Sequence, residues 1–256
     1  MKTYVLIPGA WSGGWIWQPV VAGLRGQGHA VYPMTLSGLG GRDADVSGIG
    51  LNTHVEDVLS VLLDNALRDV VLVAHGTSGV IAGIVADRAP ELVAHTVYVE
   101  GFLPHHGRSV LQAFGSLYPD ELRTIAENHG RWPAPDATVI GDGQGLTAEQ
   151  AEWLASRMTD HPGRSLTEPV RLTSPLESRP AVYVVCSMEH FGGRLADDVE
   201  GMRSVPGWTF GYLATGLWPM LSAPEELVRL LDEVPVKHAL LRSTPLPSRA
   251  APLGNG

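Results

Sequence analysis

One hydroxyl that could serve as a nucleophile, that of Ser78, stands just past the point where a buried strand has to turn. The apolar run Val70-Val71-Leu72-Val73-Ala74 leads into His75-Gly76-Thr77-Ser78-Gly79. A hydroxyl becomes a nucleophile when a base within hydrogen-bond reach takes its proton and a third group orients that base. The groups that could serve are Glu100, which ends the run Val97-Tyr98-Val99, the Glu189-His190 pair and His105-His106, whereas His75 reads as a structural partner near the turn and His238 as tail. Glu100 is followed closely by Phe102 and Leu103, and a carboxylate in apolar company is a candidate for proton transfer. Flat apolar surface comes from Trp11, Trp15, Trp17, Phe102 and Trp218. Cys186, the single cysteine, excludes an internal disulfide and a cysteine-cluster metal site, and no metal or cofactor is expected.

Positioning such groups requires a scaffold, and strand and helix signals alternate through the first hundred residues. Thr3–Ile7, residues 30–34, 70–74 and 95–99 read as strands; residues 16–26, 52–67 and 79–88 read as helices. This alternation implies an α/β fold with a mainly parallel sheet flanked by helices. Residues 103–179 break the pattern with proline-punctuated helical pieces and no convincing strand. Strands resume at 181–186 and 208–213, and a closing helix covers 223–234. The expected organisation is a core from 1–102 and 180–235, a helical lid from 103–179 and a flexible tail from 236–256.

Eighteen basic against 27 acidic residues give a net charge of −9, which disfavours nucleic acid and anionic membranes as partners. No stretch approaches the roughly 20 apolar residues of a membrane span. Thr3–Ile7 reads as a first strand rather than a secretory leader, so a soluble cytoplasmic protein is expected. The expected partner is a hydrophobic small molecule, with a homodimer left open.

Three segments carry a resemblance. Ile7-Pro8-Gly9-Ala10-Trp11-Ser12-Gly13-Gly14-Trp15 resembles the first turn of the hydroxynitrile lyase and methylesterase branch of α/β-hydrolases. Val73-Ala74-His75-Gly76-Thr77-Ser78-Gly79 is similar to that branch's nucleophile elbow. Ala214-Thr215-Gly216-Leu217-Trp218-Pro219-Met220 resembles its histidine-bearing loop. The resemblance implies an α/β-hydrolase fold with a dismantled catalytic triad. Gly76 stands at the nucleophile position, Leu217 at the base and Glu189 at the acid. Backbone donors survive such losses, so the oxyanion hole falls to the amides of Thr77 and of Ala10 or Trp11.

Those losses lead to the expectation of a non-hydrolytic enzyme of the cyclase, isomerase, dehydratase or C–C lyase type. It would act on a polycyclic or polyketide-like intermediate, with Glu100 moving the proton. Trp11, Gly76, Ser78, Phe102, His105, Glu189, His190, Leu217 and Trp218 are the expected ligand-facing residues. The alternatives are a small-molecule binding protein and a hydrolase with a rewired triad.

Overall fold

A computed structural model describes residues 1–41, 45–186 and 196–235. Its six-stranded sheet has the order β2-β1-β3-β4-β7-β8, from β1 (Thr3–Ile7), β2 (Ala30–Pro33), β3 (Val70–His75), β4 (Val93–Val99), β7 (Ala181–Val185) and β8 (Trp208–Tyr212). Every pairing in it is parallel. Strands covered on both faces carry side chains that are apolar on both, and β3 and β7 are buried along their whole lengths.

Helices α1 (Gln18–Gly26), α2 (Leu51–Asp64), α3 (Ser78–Arg88) and α10 (Pro224–Glu233) cover the two faces. One cluster holds Val5, Leu72 and Ile84, while the other holds Leu6, Val73 and Leu227, so neighbouring strand residues feed opposite sides. Ten of the eleven residues of α3 are buried. A Cβ on Gly79 would lie 2.5 Å from the Phe102 carbonyl oxygen, so only glycine lets α3 approach the segment leaving β4 this closely.

Between β4 and β7 lie α4 (Tyr118–Glu127), β5 (Arg131–Trp132), α5 (Ala137–Gly141), α6 (Ala148–Arg157), β6 (His161–Pro162) and α7 (Gly163–Thr167). The strandless lid expected from the sequence is corrected by β5 and β6, which pair antiparallel with Trp132 opposite His161. Both residues precede a proline, which pushes them towards extended backbone. Beyond β7 come α8 (Asp197–Gly201) and, after β8, the short α9 (Pro219–Ser222). The tail expected over 236–256 lies outside the described residues.

Candidate active site

The turn from β3 into α3 keeps the backbone of an elbow. Gly76 has φ +53°, its amide donates to Val99 O at 3.1 Å, and its carbonyl accepts from Phe102 N at 2.9 Å and Gly79 N at 3.1 Å. Nothing lies within 4 Å of where a Cβ on Gly76 would stand. The elbow therefore projects a bare backbone into open space, where a nucleophile's side chain would otherwise be. Thr77 caps the start of α3 and is buried, and among the described residues its amide has no backbone acceptor. That amide is therefore available to an incoming oxygen.

Ser78, expected to face a ligand, points elsewhere. It is fully buried and its hydroxyl donates to Pro8 O at 2.5 Å, which ties the elbow to the first turn. Its proton is already committed to a carbonyl, so it is a structural strut and not a ligand contact. His75 has a similar part. Its Nε2–H donates to Leu217 O at 2.8 Å, and Nδ1 faces Gly9, where an added Cβ would come within 2.6 Å. Burial pushes its pKa down to about 4, so it is neutral near pH 7.

The first turn is roofed by the lid. Trp11 has φ +62°, an uncommon conformation for a side chain of its size. Three bonds hold it there: Thr159 N donates to Trp11 O at 3.0 Å, Trp11 Nε1 donates to Trp132 O at 3.2 Å, and Trp11 N donates to His161 Nδ1 at 3.4 Å. Ring contacts continue from Trp11 to Trp132 (4.2 Å between centroids), from Trp132 to Phe114 (5.6 Å) and from Phe114 to Phe102 (5.4 Å). An aromatic chain thus spans from the first turn to the exit of β4. Ala10 is buried beside Trp11.

His161 is itself anchored. Its Nε2 lies 2.9 Å from Ser165 Oγ, which donates to Pro162 O at 2.7 Å. Because the serine's proton is spent on the carbonyl, Nε2 must carry the hydrogen and Nδ1 the lone pair. The Trp11 contact agrees with this tautomer. Burial, with the nearby His54 ring adding to it, holds the His161 pKa well below its ordinary value.

The position expected for the base is filled by apolar packing. Leu217 joins the cluster containing Leu154, Met158 and Trp218, and its amide donates to Gln144 Oε1 of the lid at 2.7 Å. Trp218 is 3% exposed, with its ring 5.1 Å from that of His75. It is buried against His75, so little of its ring is exposed at the surface where the sequence placed it. Glu100 has φ +46° at the exit of β4, and its Oε1 accepts from the Cys186 amide at the end of β7. Its carboxylate is directed towards β7, whereas the first turn follows β1 on the other side of β3. His105 is drawn away as well. It pairs with Asp198 at 2.8 Å on a cleft of about 550 Å³ that none of the elbow residues lines. Glu189 and His190 lie outside the described residues.

The structure gathers Gly76, Thr77, Ala10, Trp11, Phe102 and Leu217 around the two turns, buries Ser78 and Trp218, and pairs His105 with Asp198. His161, Trp132, Phe114 and Gln144 were missed because the lid carries no motif. The one signal was the pair of pre-proline positions, Trp132 and His161. Chemically, the arrangement offers the Thr77 amide beside an open space, an aromatic chain and neutral imidazoles, and among the described residues the serine next to the elbow, Ser78, is bonded to Pro8 O.

Comparison with known proteins places this geometry. Residues 4–230 match the alpha/beta hydrolase family. A carbendazim hydrolyzing esterase from Nocardioides sp. (strain SG-4G) is 39% identical over 124 residues, which is 48% of this chain and 51% of that protein. Methylesterase 7 of Arabidopsis thaliana is 32% identical over 127 residues, 48% of this chain and 49% of the relative. The chain thus spans about half the length of the curated relatives it matches. An extracellular alpha/beta-hydrolase from a Paenibacillus species superposes with a TM-score of 0.79 at 19% identity, covering 90% of this chain and 98% of that one. The expectation of a cyclase, isomerase, dehydratase or lyase is overturned by these relatives, which are named as esterases. Among the described residues no helix is long and apolar enough to cross a membrane.

Proposed function

The chain belongs to the alpha/beta hydrolase family, and on that premise we propose that it hydrolyses carboxylic esters with hydrophobic bodies, without forming an acyl-serine. The observation that carries this reading is the intact elbow at Gly76 facing open space, in a chain whose relatives are esterases. The ester carbonyl lies over Gly76 with its oxygen on the amide of Thr77 and an amide of the Ala10-Trp11 turn, where developing negative charge is stabilised. Water is the attacking oxygen, because the space of the missing side chain is free and Ser78 is committed to Pro8 O. Phe102, Trp11 and the lid rings beyond them give the ester's apolar portion its contact surface. Glu100 links the ends of β4 and β7, since its Oε1 accepts from the Cys186 amide. We further propose a cytoplasmic protein, which the free and buried Cys186 suits, with a homodimer left open.

The test is a panel of methyl and aryl esters, with carbendazim as one member, followed by mass detection of the released alcohol or amine. Release above a heat-denatured control is expected, together with no change of intact mass after fluorophosphonate treatment. Stoichiometric labelling would restore a serine mechanism. Binding of the panel without release would make the protein a ligand carrier.

A further inference from the structure

We propose that the general base of this site is the lid histidine His161, whose Nδ1 takes a proton from water as the ester carbonyl is attacked. This rests on the hydrolase reading and names the proton acceptor that the reading leaves open. Neither Leu217 nor His75 supplies one: Leu217 cannot accept a proton, and the His75 ring is buried with its Nδ1 out of contact with solvent.

His161 holds a fixed, neutral lone pair against the first turn. It stands opposite Trp132 in the lid, and its Nδ1 lone pair is aimed at the first-turn amide of Trp11 at 3.4 Å. That contact is long for an N–H···N bond, so a substrate oxygen arriving at the Trp11 amide displaces it readily. The displacement couples the two halves of the reaction. Once the carbonyl oxygen holds the Trp11 N–H, the imidazole lone pair has lost its donor and can accept a proton from water at the first turn. Ser165 fixes the tautomer by receiving Nε2–H at 2.9 Å while donating to Pro162 O, so the lone pair cannot migrate to the far nitrogen. Ser165 is thus a positioning residue.

The step balances in atoms and charge. Water gives one proton to Nδ1 and its oxygen bonds to the carbonyl carbon. The carbonyl π pair moves to the oxygen held by the backbone amides. When the intermediate collapses, the carbon–alkoxy bond breaks, and the leaving oxygen takes the pair and the proton from Nδ1. Acid, alcohol and neutral His161 result.

Around the ring, His54 on α2 is the titratable neighbour, at 5.6 Å between centroids. Asp57 and Glu168 act on His54 in turn, and Glu168 is paired with Arg164 at 2.7 Å. Burial and His54 keep His161 unprotonated well below its ordinary pKa, so the base form is present throughout the neutral range.

Two measurements test the assignment. The first compares hydrolysis of 4-nitrophenyl acetate by wild type, His161→Ala and Ser165→Ala, with circular dichroism as the check on folding. His161→Ala should lose roughly 10²–10⁴-fold in kcat, as general-base variants do, with KM little changed and partial rescue by free imidazole. Ser165→Ala should lower kcat by less than His161→Ala does, and should move the acid limb of the pH profile. The second measurement needs no turnover or variant. Phenylphosphonate, an oxyanion mimic, is titrated into wild type while the ring nitrogens of His161 are followed by ¹⁵N NMR. A bound phosphonate should convert Nδ1 from a lone-pair to a protonated signal. Wild-type turnover that survives His161→Ala, or a bound phosphonate that leaves Nδ1 unchanged, overturns the assignment alone. No turnover and no phosphonate binding by wild type overturns the hydrolase reading and the assignment together.

Discussion

Placing a methyl group on Gly76 tests whether the elbow really faces open space. At Gly76 an added Cβ meets nothing within 4 Å, so Gly76→Ala carries no steric term. What remains is the backbone conformation, φ +53°, which costs an L-residue about 1–2 kcal/mol. For a domain of this size each kcal/mol moves Tm by roughly 2–4 °C, so a fall of about 2–8 °C is expected. Gly79, three residues on, is the internal control. Its Cβ would lie 2.5 Å from a backbone carbonyl oxygen of Phe102, which cannot rotate away. Gly79→Ala must prise α3 from the segment leaving β4, at or beyond the upper end of the ~1–3 kcal/mol typical of overpacking. Paired thermal and urea melts of the two variants give the comparison. Should Gly76→Ala prove as damaging as Gly79→Ala, the space above the elbow is filled, and the placement of a carbonyl and a water there fails with it.

Ser78→Ala leaves the buried Pro8 carbonyl without its donor, so stability should fall by about 1–3 kcal/mol in urea while ester turnover per folded molecule is retained; loss of turnover in a stable variant would contradict the strut assignment. Acid should destabilise the fold through His75. Its folded pKa is depressed from 6.5 to about 4, so the unfolded chain binds the extra proton and stability is lost as pH falls from about 6.5 to 4, levelling off below. At ~1.4 kcal/mol per unit, His75 alone contributes about 3 kcal/mol to that loss, with His54 and His161 acting in the same direction, and His75→Gln should flatten the profile. Trp132→Ala removes the middle of the aromatic chain and should cost ~3–5 kcal/mol, with KM for aryl esters rising more than kcat falls; a silent variant would mean the rings do not form the substrate's roof.

The core was legible in the sequence because its signals are local. A run such as Val70–Ala74 is apolar at every position, and only a strand buried on both faces fits it. The elbow was legible for a similar reason: Gly76 and Gly79 each answer a backbone demand that the structure displays, one a positive φ and the other a close approach. Side-chain direction was not legible. Ser78 and Trp218 lie beside the correct turns in sequence, yet one hydrogen-bonds across to Pro8 and the other packs against His75, and both contacts join residues more than 65 positions apart. Within the lid, the strands were what escaped the reading, because β5 and β6 are two residues each. His161 reaches the first turn only through that small hairpin, a pairing that no periodicity announces.

Trp11 is held from the lid by its carbonyl, its amide and its indole nitrogen at once. The first turn of the core therefore takes its final shape only when residues 132, 159 and 161 are in place, and the two segments cannot be inherited or exchanged separately. Grafting another lid onto this core would remove three acceptors and donors from a residue with φ +62° and let that turn relax. Any chimera built from this scaffold must move the Trp11 turn and the Trp132–His161 hairpin as one cassette. A lineage that altered the lid to admit a new substrate would have had to change the core's first turn in step.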